Sequence, residues 1–88
     1  MRVAYYEANG SAREVLRVAE VETPQPGPGE VRVKLKASGV NPSDVKSRAG
    51  INRKIAFPRV IPHSDGAGEI EAVGEGVPAA RVGERVWV

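Results

Sequence analysis

Two short stretches of this chain hold the residues that could do chemistry. One is Pro62-His63-Ser64-Asp65, an imidazole, a hydroxyl and a carboxylate in succession, directly ahead of Gly66-Ala67-Gly68. The other is Asn41-Pro42-Ser43-Asp44-Val45-Lys46-Ser47-Arg48, with an amide, an acid and two bases in eight residues. As a zinc site the first would need at least three protein ligands, so His63 would have to recruit Asp65 and a distant acid in a chain without cysteine. Adjacent residues of an extended segment point to opposite faces, which works against such a site. A Ser-His-Asp relay fails as well, because the imidazole must lie between hydroxyl and carboxylate in space. The plain alternative is a turn in which Pro62 fixes the entry, Ser64 or Asp65 bonds local backbone, and His63 is partly exposed.

The glycines behind this stretch invite a phosphate-binding reading, and the spacing refuses it. Gly66-Ala67-Gly68 runs on to Glu71 where the dinucleotide fingerprint needs a third glycine. Gly74-Glu75-Gly76-Val77-Pro78-Ala79 fits the relaxed form, but Pro78, Gly83 and a strand follow in place of the long helix that would hold a pyrophosphate. Glu75 would also repel phosphate. The pattern reads as a turn. The Asn41–Arg48 stretch keeps two readings open: a helix edge presenting mixed donors and acceptors to a ligand, or an ordinary amphipathic surface helix.

The elements that must position these residues are mostly strands. In Glu30–Val40, Val31, Val33, Leu35 and Ala37 alternate with Arg32, Lys34 and Lys36, the period of a half-buried strand. The prolines of Thr23–Gly29 make a stiff connector ahead of it. Met1–Glu7 and Glu14–Glu22 read as two further strands with an Asn9-Gly10 turn between them. Asn41 as N-cap, Pro42 at the first helical position and Gly50 as C-cap bound a two-turn helix. Gly66–Val73 resumes as a strand whose glycines imply bends or close backbone approach, Gly74–Gly76 turns the chain, and Arg85–Val88 begins another strand within which the chain stops. The expectation is a mostly β domain of five to seven short strands, closed or nearly closed into a barrel, with one short helix near residues 42–49.

Composition narrows the function. Eighty-eight residues make one small domain, burying only about 60 to 65% of its unfolded surface. The absence of cysteine excludes disulfides and thiolate chemistry. Thirteen Lys and Arg are scattered among eleven Asp and Glu for a net charge of +2, and aromatics are 5%, which argues against nucleic-acid binding. No apolar stretch is long enough for a signal peptide or a membrane span, so a cytoplasmic, soluble protein is expected.

In order along the chain, ASGVNPSDVKSRAG, then PRVIPHSDGAGEIEAVGEGV, then RVGERVWV resembles the N-terminal GroES-like catalytic domain of the medium-chain dehydrogenase/reductase superfamily, in its zinc-independent quinone oxidoreductase (zeta-crystallin-like) branch. The resemblance covers essentially the whole chain. It implies a partly open GroES-like β-barrel over residues 1–88, and an enzyme that passes a hydride from NADPH to a quinone or activated alkene. The zinc-containing members carry a cysteine where this chain has Asn41, and a His-Glu pair where it has Ser64 and Asp65. Aligned on Gly66-Ala67-Gly68, His63 falls one place too early to be that ligand, so no zinc is expected. Asn41 matches the position at the nicotinamide end of the cofactor, Asp44 the acid that follows it, and Arg48 a basic position on the helix. Some members carry tyrosine at Lys46. Ser64 and Asp65 are expected across the cleft.

Family members are several times longer, with the NADP-binding Rossmann domain following the point where this chain ends. The resemblance therefore implies a fragment, inactive as the isolated 88 residues, in which a homodimer or another partner would cover Trp87. The competing expectation is a stand-alone GroES-like binding or oligomerisation module without redox activity.

Overall fold

The computed structural model describes residues 1–51 and 54–88. The chain divides into two compact units, Met1–Glu22 with Val40–Ser64, and Thr23–Gly39 with Asp65–Val88.

In the first unit, β1 (Arg2–Tyr5) pairs antiparallel with β2 (Arg17–Glu20), with Val3 opposite Ala19. Between them lies a single helical turn, α1 (Ala12–Val15), in which the Ser11 carbonyl accepts from the Glu14 and Val15 amides at 3.1 and 3.0 Å. This replaces the expected start of a strand at Glu14: Ala12, Arg13 and Glu14 are good helix formers behind a serine of the type that caps helices, and they reverse the chain by winding. Beyond β1, Tyr6 exchanges two backbone hydrogen bonds with Val60, both of 2.9 Å, and is 4% exposed. The main helix, α2 (Pro42–Ala49), has the expected ends, with Asn41 extended ahead of it and Gly50 left-handed at φ 78° behind it. The Gly50 amide returns to the Lys46 carbonyl at 3.0 Å, satisfying one of the acceptors that a helix end leaves open.

In the second unit, β3 (Val31–Ser38), β4 (Gly66–Val73) and β5 (Arg85–Trp87) form an antiparallel sheet in that order. Here the expected alternation of β3 does not appear in the burial: its first three residues are half-buried and the rest exposed. Val31 and Val33 are half-buried, but Leu35 is 53% exposed and Ala37 is exposed too. The register slips between Arg32 and Val33 and again between Leu35 and Ala37, and each bulge breaks the period-two assignment of faces. Arg32 is half-buried instead. Its Nε donates to Glu71 Oε1 at 2.8 Å and its Nη1 to the Pro24 carbonyl and Gln25 Oε1, fastening the proline-rich connector to the sheet.

The glycines of β4 permit the close approach that the sequence suggests. A Cβ on Gly66 would stand 2.6 Å from the Ala37 carbonyl oxygen, and one on Gly68 would drive into the Lys34 carbonyl. Ile70 is 1% exposed, the largest fully buried side chain among the described residues. After β4, Gly74 to Val77 turns the chain, a short 3-10 turn spans Ala79–Arg81, and β5 returns along β4.

The chain is thus mostly β, with few and short helices. Its sheets, of two and three strands, are open and not closed into a barrel, which corrects the expected closure. Among the described residues, no helix is long and apolar enough to cross a membrane.

Candidate functional site

α2 carries three of the six residues singled out from the sequence, Asp44, Lys46 and Arg48, and a fourth, Asn41, is its N-cap. Asn41 and Asp44 form a capping box at its N-terminus: the Asn41 backbone amide donates to Asp44 Oδ2 at 2.7 Å and the Asn41 side chain accepts from the Asp44 backbone amide, which also lies 3.0 Å from the Asn41 backbone carbonyl. Both are half-buried. The Asp44 carboxylate is therefore engaged by backbone at the helix start, where the positive end of the helix dipole also favours it. Lys46 is exposed on the helix. Arg48 is half-buried, and its Nε donates to the Gly10 carbonyl at 3.2 Å while the Gly10 amide donates to the Arg48 carbonyl at 3.0 Å. The basic position on the helix thus serves as a tie to the loop after β1.

The second candidate stretch is a bend. His63 adopts a left-handed backbone, φ 84°, and is exposed, as is Ser64. Histidine is among the non-glycine residues that tolerate this region best. Among the described residues, no group of three or more His, Asp or Glu side chains comes close enough to hold a metal ion.

Asp65 belongs to the second unit, where it lines an open groove of about 390 Å³ together with Ser38, Gly39, Trp87 and Val88. Its carbonyl accepts from the Gly39 amide at 2.8 Å, and a Cβ on Gly39 would run into the Asp65 carboxylate, with Cγ at 2.8 Å. Glycine at position 39 thus makes room for the acid. Asn41, Asp44, Lys46, Arg48 and Ser64 lie in the first unit.

The glycine run at 74–76 is a turn, as its spacing implies. The Gly74 amide donates to the Glu30 carbonyl and the Gly29 amide to the Glu75 carbonyl, each at 2.8 Å, and Gly76 takes φ 85°. Only a three-residue 3-10 turn follows. No helix long enough to orient a pyrophosphate is available there.

Two features escaped the sequence. Asn9, read as a turn residue, sends its side-chain Nδ2 to the Ser47 and Arg48 carbonyls at 3.0 and 3.2 Å and receives the Ile55 amide on Oδ1 at 2.8 Å. These partners lie 38 to 46 residues away, so no local pattern could have pointed to them. Beside it is a recess of about 250 Å³ lined chiefly by Tyr6, Ser47, Ile55, Phe57 and Val60. The turn signal at Asn9-Gly10 was the only trace of either feature.

Known proteins resemble the chain throughout. It is 52% identical over 73 residues to the starvation-sensing protein RspB of Escherichia coli, a match covering 83% of this chain and 21% of RspB. It is 42% identical over 73 residues to a quinone oxidoreductase of Pseudomonas aeruginosa, covering 83% of this chain and 22% of that protein. The crystal structure of E. coli quinone oxidoreductase complexed with NADPH superposes on 99% of this chain and 26% of its own, at 29% identity and a TM-score of 0.85. The chain thus spans about a fifth of the length of the curated relatives it matches. The alcohol dehydrogenase GroES-like domain matches residues 27–88. That match takes in β3, α2, β4 and β5, every element that carries a candidate site residue, and the chain belongs to this family.

Proposed function

We propose that these residues are the GroES-like part of a longer, zinc-independent, NADPH-dependent oxidoreductase that reduces a quinone or a similar activated alkene. The observation that carries this reading is the likeness, over 99% of the chain, to a quinone oxidoreductase whose structure is complexed with NADPH. When bound, NADPH supplies the hydride, which together with a proton takes a quinone to the hydroquinone level. This chain contributes orientation. Asn41, held at the start of α2 by Asp44, meets the nicotinamide end in the proposed assembly, with Lys46 exposed on the same helix; the resemblance adds Ser64 and Asp65 as residues that would meet substrate or cofactor. Gly74–Gly76 is a turn, which supports placing the dinucleotide mainly on a Rossmann domain outside these residues.

Zinc does not fit the donors at hand. A neutral amide at Asn41 and a hydroxyl at Ser64 are poor substitutes for thiolate and imidazole, and among the described residues no acid or histidine cluster compensates. A cytoplasmic location and a homodimer that covers Trp87, 85% exposed on β5, belong to the same proposal.

The test is steady-state NADPH oxidation with 1,4-benzoquinone by the full gene product containing these residues, with and without a zinc chelator, beside the 88 residues alone. Turnover by the full product, indifferent to chelator, and none by the 88 residues is the expected result. Turnover abolished by chelator and restored by zinc would overturn the zinc-free assignment. A defined oligomer of the full product with no NADPH oxidation would favour a binding module without redox activity.

A further inference from the structure

We propose that Asn9 is a positioning residue, whose single carboxamide sets α2 and the 54–57 segment relative to each other; its effect on turnover rests on the oxidoreductase reading above. The C-terminal carbonyls of a helix lack intrahelical donors. In α2, the Lys46 carbonyl receives the Gly50 and Ile51 amides, at 3.0 and 3.1 Å, the Arg48 carbonyl receives the Gly10 amide, and the Ser47 carbonyl has only a long, shared bond of 3.3 Å from the Gly50 amide. The Ser47 carbonyl is reached by Asn9 Nδ2 at 3.0 Å, and the same nitrogen lies 3.2 Å from the Arg48 carbonyl. On the other side of the rigid amide plane, Oδ1 accepts the Ile55 amide at 2.8 Å.

Only a carboxamide offers two donors and an acceptor in one neutral group of this size. The site is shaped for it. A Cβ on Gly50 would stand 2.9 Å from Asn9 Cγ, so the residue that ends α2 also makes room for the clamp. Ser47 and Ile55, whose backbones Asn9 holds, both line the recess that Tyr6 and Val60 also line. One side chain therefore fixes both the width of that recess and the seat of the helix bearing Asn41, Asp44 and Lys46. Arg48 Nε, donating to the Gly10 carbonyl, supports the same junction from the helix side.

Two substitutions separate the halves of the clamp. Asn9→Ala removes both; Asn9→Asp keeps an acceptor for Ile55 but replaces the donors with a charge that repels the Ser47 and Arg48 carbonyls. In hydrogen exchange on the 88-residue chain, Asn9→Ala is expected to speed exchange of the Ile55 amide about tenfold, the effect of losing one or two net hydrogen bonds. Asn9→Asp should leave the Ile55 amide protected and loosen the last turn of α2, read at the Gly50 amide. The Ile70 amide, bonded to the Glu84 carbonyl, reports whether each variant remains folded.

In the full enzyme both variants should raise the quinone KM severalfold and leave the NADPH KM unchanged, whereas a mere loss of folded protein would lower kcat and leave both KM values alone. Unchanged exchange at Ile55 in Asn9→Ala would overturn the clamp. If Asn9→Ala does not fold, unchanged exchange at Gly50 in Asn9→Asp overturns it equally. An unmoved quinone KM would overturn the positioning role. Absence of quinone turnover in the parent enzyme would overturn the functional reading, and exchange would still decide the clamp.

Discussion

Asn41 and Asp44 are joined at the start of α2 by a 2.7 Å hydrogen bond from the Asn41 amide to Asp44 Oδ2. The bond turns the carboxylate of the helix back onto the residue that precedes it. Asp44 therefore fixes the chain entry at Asn41, ahead of the first turn of α2. The acid of this motif thus has a structural duty at the helix start.

Asp44→Ala removes this bond and exposes an amide donor at the helix start. The expected loss of stability is about 1 kcal/mol, the usual value of a helix cap. Asp44→Asn keeps an acceptor of the same shape and should recover most of it. Urea denaturation of the three proteins decides the point, and equal midpoints for parent and Asp44→Ala would show that the cap is idle.

Gly68 and Gly76 are both glycines for reasons of backbone, but the reasons differ. A Cβ on Gly68 collides with the Lys34 carbonyl, with its carbon at 2.8 Å, inside the β3–β4 ladder, whereas nothing lies within 4 Å of a Cβ on Gly76. Gly76 has φ 85°, so alanine there meets only the left-handed backbone cost of about 1–2 kcal/mol. Gly68→Ala forces two strands apart and should cost more, about 1–3 kcal/mol from crowding together with weakened ladder bonds. Thermal melts should rank parent, Gly76→Ala and Gly68→Ala in falling order; a reversed order of the two variants would refute the close approach.

The ends of α2 were legible because their signals are local. Asn41, Pro42 and Gly50 act on the backbone within a few residues of themselves, and all three take their expected places. The alternation of β3 misled at Leu35 because the faces of a strand depend on its partner. The slip between Leu35 and Ala37 is set by pairing with Gly68 and Ala67, 30 residues or more away. Asp65 was recognised by its motif, but its place in a groove with Trp87 depends on β5 returning alongside β4. Asn9 was legible only as a turn, since a carboxamide in a loop looks the same whether it bonds its neighbours or a helix 38 residues on.

Ile70 lies opposite Val33 on β4 and is 1% exposed. Ile70→Ala would remove three buried carbons and leave a void that a small sheet cannot fill, at a cost of about 2–5 kcal/mol. Small domains hold only about 5–15 kcal/mol, with chains of this length at the low end. The expected outcome is a largely unfolded chain at room temperature, seen as loss of amide dispersion in NMR, while Ile70→Val should stay folded at a cost of about 0.5–1.5 kcal/mol. A well-dispersed spectrum for Ile70→Ala would show that the second unit draws its stability from elsewhere.

Arg81 and Glu84 close the 3-10 turn with a bidentate pair, Nε to Oε2 at 3.0 Å and Nη2 to Oε1 at 2.9 Å. The hydrogen bond from Arg81, aided by its charge, holds the Glu84 carboxyl below its ordinary pKa, and the same bond raises that of Arg81. A carboxylate depressed on folding contributes stability that is present above its unfolded pKa, about 4.3, and lost as the pH falls through its folded value. Arg81 stays charged throughout this window, so Glu84 alone sets the sign. The pair is exposed, which keeps the contribution small and open to screening. Parent and Glu84→Gln should therefore differ slightly in stability at pH 7 in low salt and converge at pH 2, and 1 M salt should shrink the neutral-pH difference. A difference that persists unchanged at pH 2 would mean that the glutamine acts by packing in the turn and not through the Arg81 pair.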